Sequence, residues 1–324
     1  MTSAADAPGK LFLTGEWAVL RGAPALVAAV DRRARVTVEP GAGQGIEIAS
    51  LAEGRCARFT GESEPGAPLP GGDTGVVLAA LRQRREAWRP MRVVVDSRSF
   101  LVGERKLGLG RSAATLVAAV AALGASESDA ALLRRALEAN ALFQAGHGSG
   151  ADVAAAVHGG VIEVRRNPAS DDLEVTPRTL PAGLHLVAGW TGTSAHTPPL
   201  LARFAAAPLP AVFADLTAAA TAATDAVAGG DAAALLAAVD RAAGLLARLG
   251  AALDLPLVTP ELARLVRAAN RAGAAAKPSG AGGGDCGIAF ATSAAQAMAV
   301  QAAWRDAGIL PLPVAIAGQG VARA

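Results

Sequence analysis

The sequence predicts an α+β fold in two parts, and three observations predict it. Residues 35–39, Arg-Val-Thr-Val-Glu, alternate as a half-buried strand should, and two apolar runs precede them, Leu11–Leu13 and Ala25–Val30. From Ser112 to Leu123 the pattern turns helical and apolar. Near the end it reads strand, helix, strand, over Gly287–Ala291, Ala294–Ala307 and Leu312–Ile316.

The elements between follow in order. Gly61–Gly75 is rich in Gly and Pro and predicts a surface loop, and Met91–Val95 a strand. A helix is expected to start near Ser126 or Ser128, with Leu132, Ala136, Ala139 and Phe143 on one face. Val161–Val164 predicts a short strand. Asn167–Pro181 is polar and contains proline, which marks a boundary, so the expected domains are 1–182 and 183–324. A strand then starts over Leu184–Ala188. Two or three Ala-rich helices follow between Pro198 and Gly250, and another lies between Pro260 and Ala272.

Composition narrows the function. The chain has 324 residues, 52% of them hydrophobic, enough for a sizeable core. Charged residues make up 18% and balance to +2, so neither nucleic acid nor a membrane surface is an expected partner. The uncharged stretch Cys286–Trp304 carries Ser, Thr and Gln and reads as a strand followed by a helix, not a span. Two distant cysteines, Cys56 and Cys286, form neither a metal-ligand spacing nor a disulfide framework; a reducing, cytoplasmic compartment is the simpler reading.

Four segments carry candidate chemistry. Lys106-Leu-Gly108-Leu109-Gly110-Arg111-Ser112-Ala113-Ala114 leads straight into a helix, where glycines and unpaired N–H groups can surround an anion and Ser112 could ligate a phosphate-bound magnesium ion. The alternative is a plain turn and cap. Lys10 precedes an apolar strand and is either a surface charge or an anion ligand. The segment Lys277-Pro-Ser279-Gly280-Ala281-Gly282-Gly283-Gly284-Asp285-Cys286-Gly287 is too glycine-dense for a simple turn, so close backbone approach to a ligand or another segment is expected. In His147-Gly148-Ser149-Gly150-Ala151-Asp152 the aspartate is either a helix cap or a carboxylate presented to substrate.

Together and in order, these segments resemble the GHMP kinases, the family of galactokinase, homoserine kinase, mevalonate kinase and phosphomevalonate kinase. The matching pieces are P-G-K-L-F-L-T-G-E-W-A-V-L, G-L-G-R-S-A-A and K-P-S-G-A-G-G-G-D-C-G-I-A. G-S-G-A-D-V-A at Gly148–Ala154 and G-W-T-G at Gly189–Gly192 are similar to the branch acting on phosphomevalonate. The resemblance spans essentially the whole chain. It implies an N-terminal domain like the second domain of ribosomal protein S5 and a ferredoxin-like C-terminal domain. It also implies transfer of a phosphoryl group from ATP, with Mg²⁺, to phosphomevalonate by a monomer or homodimer. The alternatives are another small-molecule kinase of the family, such as mevalonate kinase, or a non-catalytic nucleotide sensor.

The same resemblance implies roles. Lys10, Lys106 and Asp152 are catalytic. Gly108, Leu109, Gly110, Arg111, Ser112 and Ala113 hold ATP, with Ser112 on the metal. Lys10, Ser149, Ser279, Gly280, Ala281, Gly282, Gly283 and Asp285 bind the acceptor. Two positions depart from the family's pattern: Arg111 stands where a serine is usual, and His147 where a small polar residue is common. Arg111 either adds charge near the phosphates or points away.

Overall fold

The computed structural model describes residues 2–60, 68–83, 89–124, 127–146, 148–167, 172–195 and 197–324. His147, Ser126 and the first part of the loop expected from Gly61 lie outside them.

The first unit is a mixed sheet. Strands β1 (Ser3–Thr14), β2 (Pro24–Pro40), β3 (Ile46–Ser50), β4 (Arg55–Phe59) and β5 (Met91–Asp96) run in the order β1-β2-β5-β3-β4. All neighbours are antiparallel except β3 and β5. Short β6 (Leu101–Val102) and β7 (Arg105–Lys106) form a separate hairpin. Strand β8 (Val161–Arg166) pairs with β2, and β9 (Leu173–Arg178) with β8.

One face of this sheet is covered by helices α1 (Gly72–Arg82), α2 (Arg111–Leu123), α3 (Asp129–Phe143) and α4 (Ala151–His158). Ser128 caps α3, its hydroxyl accepting the Ala131 N–H at 3.3 Å. Leu132, Ala136 and Ala139 are buried on the expected face.

A bulge decides which way Lys10 points. Alternation puts Ala5 and Ala7 of β1 against the helices. The register shifts between Pro8 and Gly9, so beyond it the even-numbered Phe12 faces the helices while Leu11 and Leu13 turn to the other face. Lys10 shares the side of Phe12, and its ammonium lies 5.3 Å from the centre of that ring.

The second unit begins at β10 (His185–Trp190), followed by α5 (Thr197–Ala206), α6 (Val212–Ala228), α7 (Ala232–Leu253) and α8 (Pro260–Arg271). Then come β11 (Ala275–Ser279), β12 (Cys286–Ala291), α9 (Ala294–Asp306) and β13 (Leu310–Leu312). The antiparallel order β11-β12-β10-β13 is the ferredoxin-like arrangement. Helices α8 and α9 cover one face around Trp304, whose indole N–H donates to Leu265 C=O at 2.9 Å. The other face packs with α6 and α7 against Leu11, Leu13, Leu26 and Val30 of the first sheet. Among the described residues no helix is long and apolar enough to cross a membrane.

Three expectations need correction. The loop read to Gly75 ends earlier, because α1 starts at Gly72 and buries Asp73 in hydrogen bonds from Ser50 and Ser97. The polar stretch after Asn167 contains β9, whose alternate residues face solvent as an edge strand allows. The strand expected over Leu312–Ile316 stops at Leu312. From there the chain crosses back to the first sheet, bridging Val30 through Ile316 and adding β14 (Ala322–Arg323) to β1.

Candidate active site

The helix α2 begins at a glycine loop, and its first turn is built to meet an anion. Gly110 caps it in the left-handed conformation (φ 82°) without any side-chain cap. The N–H groups of Arg111, Ser112 and Ala113 therefore have no carbonyl one turn back. The half-buried Ser112 hydroxyl makes no hydrogen bond among the described residues. Free donors at the positive end of a helix fit a phosphate.

Lys10 lies alongside this loop. Its own N–H donates to Leu109 C=O at 2.7 Å, and a Cβ placed on Gly110 would stand 2.9 Å from its Cγ. Glycine is required there both by the positive φ and by the lysine stem. On the far side, a Cβ on Gly280 would stand 3.7 Å from Lys10 Nζ. The ammonium is thus held between the phosphate loop and the third glycine segment.

That segment is a loop between β11 and β12 with positive φ at Gly280, Gly282, Gly283, Gly284 and Asp285. It makes the close approach its glycine content predicts: the Asp285 side chain lies so near Gly108 that a Cβ there would be 2.3 Å from Asp285 Cβ. Asp285 also joins the segment after β10. Its carboxylate accepts the Ala195 N–H at 3.0 Å, its N–H donates to Thr193 C=O at 2.8 Å, and its C=O accepts the Thr191 hydroxyl at 2.9 Å. Burial pushes its carboxyl above the usual range, opposed by the Ala195 N–H, Lys10 and Lys106. Lys106 is exposed on β7, and its C=O accepts the Ser194 hydroxyl at 3.1 Å.

Lys10, the Gly108–Ala113 loop and the Gly280–Asp285 loop therefore converge, with Lys106 two residues before Gly108; Ser279, expected to bind the acceptor, is instead buried at the end of β11 with its hydroxyl on Phe12 C=O. Ser149 and Asp152 stand at the start of α4, which packs on α2 and β1. Their described contacts are local: Ser149 Oγ accepts the Ala151 N–H at 3.3 Å, and Asp152 the Val153 N–H at 3.0 Å. No described contact joins Asp152 to Lys10.

Arg111 turns away from the phosphate side. Its guanidinium is 9% exposed, ion-paired with Glu53 and 3.5 Å from Asp73. Only its backbone N–H remains for an anion. Glu53 also lines a cavity of about 450 Å³ with Cys56, Phe59, Pro70 and Thr74. Among the described residues no group of three or more His, Cys, Asp or Glu could hold a metal. The Ser112 hydroxyl, with phosphate and water oxygens, would make a donor set that suits a magnesium ion.

Sequence reasoning assigned no role to a pair deep under the site. Lys277 on β11 donates to Glu16 and to Pro278 C=O at 2.6 Å, and its ammonium is fully buried. Burial pushes its pKa down, opposed by Glu16. The only signal for it was a lysine inside an otherwise apolar strand.

Residues 74–160 match the GHMP kinases N terminal domain and residues 223–310 the GHMP kinases C terminal. The chain is 35% identical to the phosphomevalonate kinase of Streptomyces sp. (strain CL190), covering 97% of each protein. It is 34% identical to the mevalonate kinase of Aeropyrum pernix over 60% of this chain and 58% of that protein. Its fold superposes on the Streptococcus pneumoniae phosphomevalonate kinase solved with phosphomevalonate and AMPPNP, at a TM-score of 0.81 and 21% identity, covering 97% of this chain and 99% of the other. The chain belongs to the GHMP kinase family.

Proposed function

We propose that this kinase transfers the γ-phosphoryl group of ATP to the phosphate of (R)-5-phosphomevalonate, giving ADP and 5-diphosphomevalonate. The observation that carries the reading is Lys10 held between the glycine loop that opens α2 and Gly280, in a chain 35% identical along 97% of its length to a phosphomevalonate kinase.

The chemistry explains why two cations matter. A phosphate monoester has its second pKa near about 6, so the attacking oxygen is already ionised at neutral pH. It forms a bond to the γ-phosphorus as the bond to the β–γ bridging oxygen breaks, and ADP leaves with that electron pair. The main obstacle is bringing two anions together, which calls for fixed positive charge and alignment. Lys10 and Lys106 supply the charge between donor and acceptor. The N–H groups at the start of α2 hold the ATP phosphates. Magnesium, when bound, would neutralise phosphate charge and would be held by Ser112. Asp152 orients Lys10 or the acceptor, Ser149 contacts the acceptor, and the Gly280–Asp285 loop shapes its side of the cleft. With the boundary near residue 182, the cleft lies between the two sheets, and the chain end beyond Val314 returns to the first of them. The free cysteines Cys56 and Cys286 fit a cytoplasmic setting.

The Aeropyrum relative keeps mevalonate kinase as a second reading. Arg111, the departure from the family's pattern that would favour a non-catalytic sensor, has its side chain committed to Glu53 and Asp73. The test is ADP release coupled to a reporter, across mevalonate, phosphomevalonate, diphosphomevalonate, homoserine and galactose. Turnover should be fastest with phosphomevalonate and should need a divalent metal. Equal or faster turnover with mevalonate refutes the assignment.

A further inference from the structure

Glu16 and Lys277 have no part in the mechanism above, yet no other described ion pair is as completely buried, at 3% and 0% side-chain exposure. Burying two charges costs desolvation that their attraction recovers only in good geometry, and apolar residues of similar shape often serve stability as well or better. Stability is therefore a weak reason for this pair. Its location supplies another. Glu16 lies in the turn that closes β1, the strand of Lys10. Lys277 lies on β11, just before the loop that faces Lys10.

The same Glu16 oxygen that accepts from Lys277 also accepts the Gly280 N–H at 3.3 Å. Gly280 is the residue beside Lys10 Nζ. One residue earlier, the Ser279 hydroxyl donates to Phe12 C=O at 2.9 Å, and Phe12 shares the face of Lys10. The Lys277 ammonium is used by Glu16 and Pro278 and is sealed from the cleft, so it cannot touch substrate. It can act only through the position of what it holds.

We infer that the buried Glu16–Lys277 pair is a positioning device for phosphoryl transfer: it sets the gap between Lys10 and the Gly280–Asp285 loop, in which the acceptor phosphate sits. This rests on the function proposed above. Glu16 and Lys277 are accordingly positioning residues, and their loss should loosen the alignment of the acceptor more than the binding of ATP.

The test uses the full chain and the double variant Glu16→Gln/Lys277→Met, which removes both charges and leaves no lone buried ion. Melting temperature, kcat and KM for ATP and for phosphomevalonate are measured beside wild type. The double variant should melt within a few degrees of wild type and keep its KM for ATP. Its kcat should fall roughly 10- to 100-fold, the scale of a misplacement of about 1 Å, and its KM for phosphomevalonate should rise. Wild-type kcat and acceptor KM, whatever the melting temperature, would overturn the inference. If the double variant does not fold, Glu16→Gln alone is measured; it keeps an oxygen for Gly280 but loses the charge. A smaller split of the same kind supports the inference, and wild-type values overturn it. Absence of phosphomevalonate turnover in the wild type overturns the functional reading and this inference with it. Wild-type turnover with an unaffected variant overturns the inference alone.

Discussion

Arg111 stands where the family resemblance implies a serine, and two carboxylates meet its side chain. Glu53 and Asp73 both face its guanidinium, and Asp73 is anchored by Ser50 at 2.7 Å and Ser97 at 2.9 Å. Arg111→Ser would leave the buried Asp73 carboxylate and the partly buried Glu53 carboxylate without their cation. Loss of about 3 kcal/mol or more is expected in urea unfolding, while the KM for ATP should change less than about threefold, since the guanidinium does not face the phosphates. A raised KM with unchanged stability would contradict this placement. Gly108 is constrained more tightly: at φ 75° and 2.4 Å from Asp285 Cγ, a methyl group must push the two loops apart. Gly108→Ala should cut kcat/KM for ATP by about 100-fold or more while helix content by circular dichroism is kept. Asp285 makes a pH prediction. Its folded pKa is raised by burial from the ordinary 3.8, so its favourable contribution is complete below that value and is lost as pH rises through the raised one. The melting temperature of Asp285→Asn minus that of wild type, without substrates, should therefore grow from the ordinary carboxylate range upward and then level off. A difference that is flat with pH would refute it.

The elements differ in how much of them was legible. Helices α2, α3 and α8 announce themselves by period and by caps, Ser128 for α3 and Thr259 for α8. Strand β11 was hidden because it contains Lys277 and Pro278, residues that break a strand pattern. It is an edge strand, where proline is tolerated, and its lysine is paired out of sight. The bulge at Pro8/Gly9 was equally hidden, yet it puts Lys10 on the face it shares with Phe12. The return of the chain end to the first sheet depends on backbone bonds, which carry no side-chain pattern. Ala317 N–H donates to Ala29 C=O at 3.0 Å, Gly160 N–H to Ala317 C=O at 2.7 Å and Asp31 N–H to Ala315 C=O at 3.0 Å. Each such bond nets about 1 kcal/mol. Truncation after Val314 should therefore lower the urea midpoint clearly while leaving far-ultraviolet dichroism nearly intact. An unchanged midpoint would show that the tail is only draped over the sheet.

At the scale of the whole molecule, two sheets from distant parts of the chain meet on a shared apolar layer, and the candidate site forms where their loops touch. Lys10, Gly108 and Asp285 are far apart in sequence and come together only through that packing, so no local pattern could have joined them; the order of the glycine segments did. Because Lys106 is exposed on β7 and has no ion partner among the described residues, Lys106→Met should fold normally. It should slow turnover by about 100-fold or more, the scale of one preorganised electrostatic contact. Near-wild-type kcat in that variant would remove it from the site. The central claim is that the acceptor is a phosphate oxygen and not an alcohol. Phosphorus-31 nuclear magnetic resonance of the wild-type reaction with ATP, magnesium and phosphomevalonate reads this directly. The account predicts that the acceptor's monoester signal is replaced by the two coupled signals of a diphosphate ester as ADP accumulates. An unchanged monoester signal there, with a new monoester formed when mevalonate is supplied instead, would contradict it.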